Sequence, residues 1–320
     1  MKDIAVIGAG ISGLSYANLS KNNCTIFEKN SYPGGRVVTK ETGVYSFDFG
    51  AQFFIAKNIE FLKFIEPMLK QEIIACWRAK FLEIDHNKII AQRVWQADHF
   101  VGVPNMSAIG KYLACGVDIK YNAEIVFINK DNDKWFLEDQ LSKIYGPFDW
   151  VVVTVPPLSL FGYLKDFMQE FNNVKMDACY SLMLGFLDEL DLDFDAALVK
   201  SQDISWISVN SSKPNRKNNT CLLVHSTNKW ANSNYTIDKN LAINYLLDQA
   251  AKSINIDFLN QANFKDLYFW QSANVAKQNK EKYVIDWQNK LAFCGDWFIH
   301  GRVEAAFLSA YHLINRLEAI

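Results

Sequence analysis

The chain has 320 residues, half of them apolar and 14% aromatic, with a formal net charge of −2. That composition excludes a disordered chain, and it supplies no global basic field for nucleic acid or an anionic membrane. The length can bury a large core and predicts about two domains. Six cysteines (Cys24, Cys76, Cys115, Cys179, Cys221 and Cys294) are scattered without a C-x-x-C pair. They read as reduced thiols rather than a zinc site or disulfide framework. No apolar run reaches membrane-span length, and the chain opens directly on a strand-like "DIAVIGAG" rather than a signal segment. A cytoplasmic protein is expected, with no metal and no nucleic-acid or membrane partner.

The apolar run Ile4 to Ile7 is short and β-branched, as a buried parallel strand should be. Gly8-Ala9-Gly10-Ile11-Ser12-Gly13 follows as G-x-G-x-x-G and opens a helix marked by Leu14 and Ala17 to Leu19. In that context Gly8 permits a tight turn, Gly10 lets a pyrophosphate approach the backbone, and Gly13 allows close helix–strand packing. The helix start offers free N–H groups and a positive dipole end. Cys24 to Phe27 forms the second strand, closed by Glu28, which is placed to accept hydrogen bonds from a ribose diol. The next loop, "SYPGGRVVTK", frees backbone at its glycine pair and supplies a permanent charge at Arg36. Taken alone, "GGR" is equally a surface turn.

Ile59 to Leu69 has helical spacing. From Cys76 to Phe100 the pattern turns β-rich, which marks a crossing into a second domain. "VPNMSAIGKYLACG" predicts a helix ended by Gly116. Short strands joined by a "KDND" turn come next, then the buried strand of "FDWVVVTVPP", stopped by proline. From about 157 to 275 there is no second nucleotide fingerprint. Helices alternate with β-runs such as "ACYSLMLGFL" and "TCLLVHST", separated by polar loops including "NSSKPNRKNN". Finally "NKLAFCGDW" reads as a return to the first sheet. The predicted class is α/β. A Rossmann-like nucleotide domain is built from 1–75, 101–156 and 276–320. A substrate domain of mixed β-sheet plus helices is built from 76–100 and 157–275.

The combination "VIGAGISGL…FEK…PGGRVVT…FDFGAQFF" resembles the N-terminal signature of the flavin-dependent amine oxidase superfamily, and "FCGDWFIHGRVEAAFLSA" resembles its C-terminal FAD motif. With "VGVPNMSAIGKYL" and "ISWISVNSSKPNR", the chain is similar to the renalase-like branch over nearly its whole length. The resemblance implies the two-domain architecture shared with p-hydroxybenzoate hydroxylase, and non-covalent FAD. Gly8, Gly10, Gly13, Glu28 and Arg36 would hold the ADP half, with Ile11, Ser12, Lys29 and Gly35 beside them and Val126 helping through its backbone. Gly50, Ala51 and Gln52 would lie beside the isoalloxazine. Gly295 and Asp296 would meet the ribityl-pyrophosphate region. Arg302, Val303 and Ala306 would open the last helix, with the Val303 amide facing flavin O2. The family often has Glu-Gly-Ala, Ser-Gly and H-R-W-R where this chain has Glu304-Ala305-Ala306, Ser309-Ala310 and Tyr268-Phe269-Trp270-Gln271.

A flavin carries hydride chemistry itself, and the protein supplies binding, orientation and electrostatics. The resemblance implies oxidation of isomeric dihydro-NAD(P), a dihydronicotinamide nucleotide reduced at the wrong ring carbon, with O2 as acceptor giving H2O2. An amine oxidase or desaturase-like flavoenzyme is the alternative, as is a regulatory protein with structural FAD. No catalytic base stands out. Candidate pocket residues are Gln52, Trp206, His225, Trp270, Trp297 and His300, although each tryptophan reads first as a core residue and His300 first as a solvated loop residue. His86, His99 and His312 read as peripheral. Lys213 and Arg216 either bind a substrate phosphate or carboxylate or belong to a basic mobile loop.

Overall fold

A computed structural model describes residues 1–93, 97–157, 174–216, 219–278 and 281–319. The apolar run at the start becomes the strand Asp3–Ile7, inside a six-stranded sheet. Its neighbours are Asn23–Glu28 and Trp150–Val153, both parallel, and Asp118–Tyr121 lies beyond the former. Leu291–Cys294 runs parallel to Trp150–Val153, with Val151 opposite Leu291 and Val153 opposite Phe293. Tyr283–Asp286 closes that edge antiparallel. These strands are apolar on both faces because both are covered. On one side lie the helices Ile11–Leu19, Ser107–Ala114 and Val303–Leu317, contributing Leu14, Ile109, Leu113, Ala310 and Leu313. On the other lies a three-stranded antiparallel sheet of residues 125–148, whose Trp135 and Leu137 pack with Ala5, Ile7, Val151 and Phe293. Each such fully buried Val, Leu or Phe contributes roughly 1.5–3 kcal/mol.

A second, mixed sheet has seven strands in the order Phe264–Val275, Met176–Gly185, Cys221–Ser226, Ile204–Val209, Ala196–Lys200, Phe81–Asp85 and Lys88–Arg93. Its side chains alternate between two covered faces, with register irregularities at Asp177/Cys179, Ile204/Trp206 and Glu83/Ile84. Leu182, Leu184, Leu222 and Val224 pack under the helix Lys239–Ile254. The opposite face carries Met183 and Leu223, which pack on Phe47 and Phe49 of the nucleotide-binding half. This second face positions the candidate site. Residues 158–173, where the second stretch of the predicted substrate domain begins, lie outside the described residues.

Local chemistry sets the helix starts. The first helix begins at Ile11, three residues before its apolar pattern at Leu14, because Gly10 serves as N-cap. The helix Ile59–Lys70 starts where Asn58 accepts from the Glu60 and Phe61 amides at 2.8 and 3.3 Å. No helix among the described residues is long and apolar enough to cross a membrane, and they contain no His/Cys/Asp/Glu cluster suited to a metal.

Candidate functional site

The glycine motif builds a cradle by omitting side chains. Gly8 has φ +104, and a Cβ there would meet Val155 Cγ1 at 2.8 Å. A Cβ on Gly13 would overlap the Gly8 carbonyl, so this glycine sets how closely the helix packs on the turn. Gly10 instead faces open space, and no side chain caps the helix that follows it. An uncapped helix N-terminus beside a bare backbone suits a pyrophosphate. Ile11 and Ser12 are buried, and the Ser12 hydroxyl donates to Cys294 Sγ at 3.3 Å rather than facing the cradle. Glu28 is buried, with Oε2 accepting from the Ala9 amide at 2.8 Å and Oε1 from Asn30. Those bonds orient the carboxylate and leave lone pairs for a diol. Lys29 is exposed. Val126 sits at a register irregularity three residues past Ala123, whose amide donates to the Glu28 carbonyl at 2.9 Å.

The Pro33-Gly34-Gly35-Arg36 turn is not a free surface turn. Gly34 donates to the Ala9 carbonyl at 2.8 Å, and a Cβ on Gly35 would lie 3.2 Å from Gly10 Cα. Arg36 donates to Asp296 Oδ1 at 2.5 Å and to the Ala273 carbonyl at 3.0 Å. Two residues assigned separately to phosphate and ribityl contacts are thus each other's partners across 260 residues. The Arg36 carbonyl accepts from the Ala51 amide at 2.9 Å, and a Cβ on Gly50 would overlap that carbonyl. The path Gly10–Gly35–Arg36–Ala51–Asp296 is therefore continuous.

At its far end, the helix Val303–Leu317 starts at Arg302, whose guanidinium has no acceptor to cap it, and Glu304 of the first turn instead accepts from the Lys57 and Asn58 amides at 2.7 Å. Arg302 itself is exposed, and its side chain donates to the Gly301 carbonyl at 2.9 Å. Two expectations need correction here. The Gly295 amide donates to Ser309 Oγ at 2.8 Å, so it is committed to the last helix rather than to a ligand. Ala306 faces the core of the parallel sheet, where its methyl packs among apolar neighbours.

A second assembly lies between the two sheets. Asp48 accepts four hydrogen bonds: from Thr39 Oγ1 at 2.6 Å and the Met106 amide at 3.0 Å on Oδ1, and from Lys213 Nζ at 3.1 Å and Arg216 Nη2 at 2.7 Å on Oδ2. All three charged side chains are buried, at 0–1% exposure. Burial pushes the Asp48 carboxyl up, but the two cations outweigh it and hold it below its ordinary range. Burial pushes the Lys213 ammonium down to about 8, opposed by Asp48. Lys213 and Arg216 therefore form neither a mobile loop nor a substrate-anion site: they are the counter-ions of Asp48. Of "NSSKPNRKNN", Lys217 and Asn218 lie outside the described residues.

The same assembly corrects the role of Gln52. Its Oε1 accepts from Ser208 Oγ at 2.8 Å and Lys213 Nζ at 3.3 Å, and its Nε2 donates to the Asp48 and Gly50 carbonyls. The carboxamide has no capacity left for a ligand; it fixes the 48–52 turn. The one sequence-level signal was a lone Asp and Gln inside the aromatic run "YSFDFGAQFF".

Trp206 and His225 are cross-strand partners on the sheet face turned toward the nucleotide half. Trp206 packs with Phe53 and Phe81, each at 5.8 Å between centroids. The Trp206 Nε1, His225 Nε2 and His300 Nδ1 atoms are shielded from solvent and have no hydrogen-bond partner among the described residues. Burial and the nearby Lys213 charge push His225 down to about 4, so it is neutral at pH 7. Burial, then the Arg302 charge, lower His300. Trp270 stacks on Phe49 at 5.3 Å and donates to the Phe49 carbonyl at 2.9 Å, leaving its ring as the surface a ligand could meet. Trp297 does not line the cleft. It is fully buried, stacked on Phe298 in the core of the parallel sheet, where its bulk fills the space a Gly295 Cβ would need. His99 is likewise not peripheral: it is buried against Phe53, 4.5 Å away.

Residues 6–66 match the NAD(P)-binding Rossmann-like domain family. A 62-residue stretch, 18% of this chain, is 44% identical to 1-hydroxycarotenoid 3,4-desaturase from Flavobacterium sp. (strain P99-3), and it spans 13% of that protein. The fold is similar to a crystal structure from Exiguobacterium sp. 255-15, provisionally assigned as a protoporphyrinogen oxidase, with a TM-score of 0.80 over 99% of each chain at 10% identity. The family match falls on the glycine cradle. The structural match extends over both sheets and establishes the fold: a Rossmann-like domain joined to a second, mixed-sheet domain.

Proposed function

We propose that this chain is an FAD-dependent oxidoreductase that takes a hydride from isomeric dihydro-NAD(P), with O2 as acceptor and H2O2 as product. The observation that carries this reading is that both buried carboxylates of the site are already paired. Asp48 and Asp296 are committed to Lys213, Arg216 and Arg36, while Trp206, His225 and His300 carry buried polar atoms without a partner among the described residues. An amine is an ammonium ion at pH 7 and must lose a proton before oxidation. A dihydronicotinamide becomes aromatic on losing hydride and needs no base.

The residues present fit a long dinucleotide. The open backbone at Gly10 and the uncapped helix start would receive its pyrophosphate, and Glu28 its adenosine ribose. The continuous path to Asp296 leads to a second uncapped helix start at Val303, whose positive end favours electron density on a ring placed before it. FAD, held without a covalent bond, supplies a ring that accepts two electrons as hydride. Trp206, Trp270 and Phe53 would exclude water and orient a flat substrate. The renalase-like resemblance supports the choice of donor.

Anaerobic stopped-flow mixing of the purified protein with dihydronicotinamide isomers tests this. The expected result is bleaching of the flavin band by an isomer reduced at the wrong carbon. No bleaching by any isomer would sink the reading. Bleaching by amines or polyenes instead would favour an amine oxidase or a desaturase, the latter in keeping with the 62-residue identity. A bound flavin inert to every reductant would mark it as structural.

A further inference from the structure

We infer that Trp206 and His225 together form a hydrogen-bonding edge that takes a neutral primary carboxamide of the substrate. The inference rests on the hydride-transfer reading above and adds what the cleft recognises. Trp206 lies opposite His225 in the register of Ile204–Val209 against Cys221–Ser226. Cross-strand partners place their Cβ atoms about 4.5–5.5 Å apart, so the two side chains rise from neighbouring positions on one face. Ser208, two residues along, reaches Gln52 of the nucleotide half, which fixes the direction this face looks.

The two nitrogens are shielded and without partners among the described residues. Leaving them so costs the desolvation of both groups, a cost that a matched ligand removes. The indole N–H only donates. A neutral imidazole with its proton on Nδ1 presents an acceptor at Nε2. A primary carboxamide offers the complementary pair on one planar edge: its oxygen accepts from Trp206, and its NH2 donates to His225.

Other groups match less well. A ketone leaves the imidazole lone pair unmet, and a carboxylate sets an oxygen against it. An alkylammonium has nothing to offer the indole N–H. It also faces Lys213, whose charge acts on His225 and which, with Arg216, outnumbers the single Asp48.

Saturation-transfer NMR titrations with nicotinamide, 3-acetylpyridine, nicotinate and benzylamine test this on the purified protein, whatever flavin it carries. Nicotinamide should bind about tenfold more tightly than the ketone or the acid, the effect of one hydrogen bond made or lost. Trp206→Phe and His225→Leu should each weaken it about tenfold. His225→Gln, which restores an acceptor, should recover part of the loss even if the leucine variant folds poorly. Equal binding of nicotinamide by wild type and variants overturns the inference, as does nicotinate binding as well as nicotinamide, or no nicotinamide binding at all.

The stopped-flow assay separates this from the parent reading. If nicotinamide needs both residues but no isomer bleaches the flavin, the edge stands and the reaction falls. If the isomers bleach wild type and both variants equally fast, the reaction stands and the edge falls.

Discussion

The glycine cradle and the Asp48 assembly hold two regions of the molecule in place by opposite means. The cradle is defined by missing atoms: Gly8, Gly10 and Gly13 let backbone come close to backbone and, at Gly10, leave room for a ligand. The Asp48 assembly is defined by added ones, three buried charges and a saturated glutamine that tie the 48–52 turn to the second sheet. One fails when a substitution adds volume, the other when it removes a partner. A site can therefore be shaped as much by a backbone contact as by any side chain pointing into it.

Breaking each side in its own way sharpens that contrast. Gly13→Val should have the largest effect, because its side chain must occupy the Gly8 carbonyl position. A loss above about 4 kcal/mol is expected, read as insoluble protein or complete loss of flavin absorbance. Asp48→Asn should cost about 3–5 kcal/mol in urea unfolding, since it strands two buried cations. Adding Lys213→Met should return part of that loss, showing that the charges act as one unit.

The third test uses pH. His225 is held near 4 when folded, against an ordinary value of 6.5. The unfolded chain thus binds the extra proton first, so stability is present above pH 6.5 and is lost as pH falls toward 4. The loss is about 3 kcal/mol, and thermal melts of His225→Leu should lack that acid limb. The smallest effect is expected from Ala310→Gly, about 1 kcal/mol of helix stability. It should bring no gain in flavin affinity, because Ala310 packs in the core of the parallel sheet.

What the sequence made legible follows the same division. The strand at Ile4, the glycine spacing and Glu28 lie within 25 residues of one another, so local patterns sufficed to place them. The β-runs "ACYSLMLGFL" and "TCLLVHST" located two strands of the second sheet for the same reason. Asp48, by contrast, draws partners from positions 39, 106, 213 and 216, which only the fold brings together. Lys213 and Arg216 read as either substrate-anion ligands or a basic mobile loop because polar composition does not distinguish an exposed charge from one paired in the interior. Trp297 looked like a pocket wall because a tryptophan beside a glycine motif has the same sequence signature whether it faces a ligand or the core.

The parallel pairing of Leu291–Cys294 with Trp150–Val153 has a consequence for how the protein is made. A ribosome delivers the inner strand about 140 residues before its partner, and five of the seven strands of the second sheet emerge in between. Until then one edge of the nucleotide sheet stands open, able to pair with other chains. Arg36 waits equally long for Asp296. The path that residue 8 begins is finished only near residue 303, so a chain completes it only once its synthesis has passed that point.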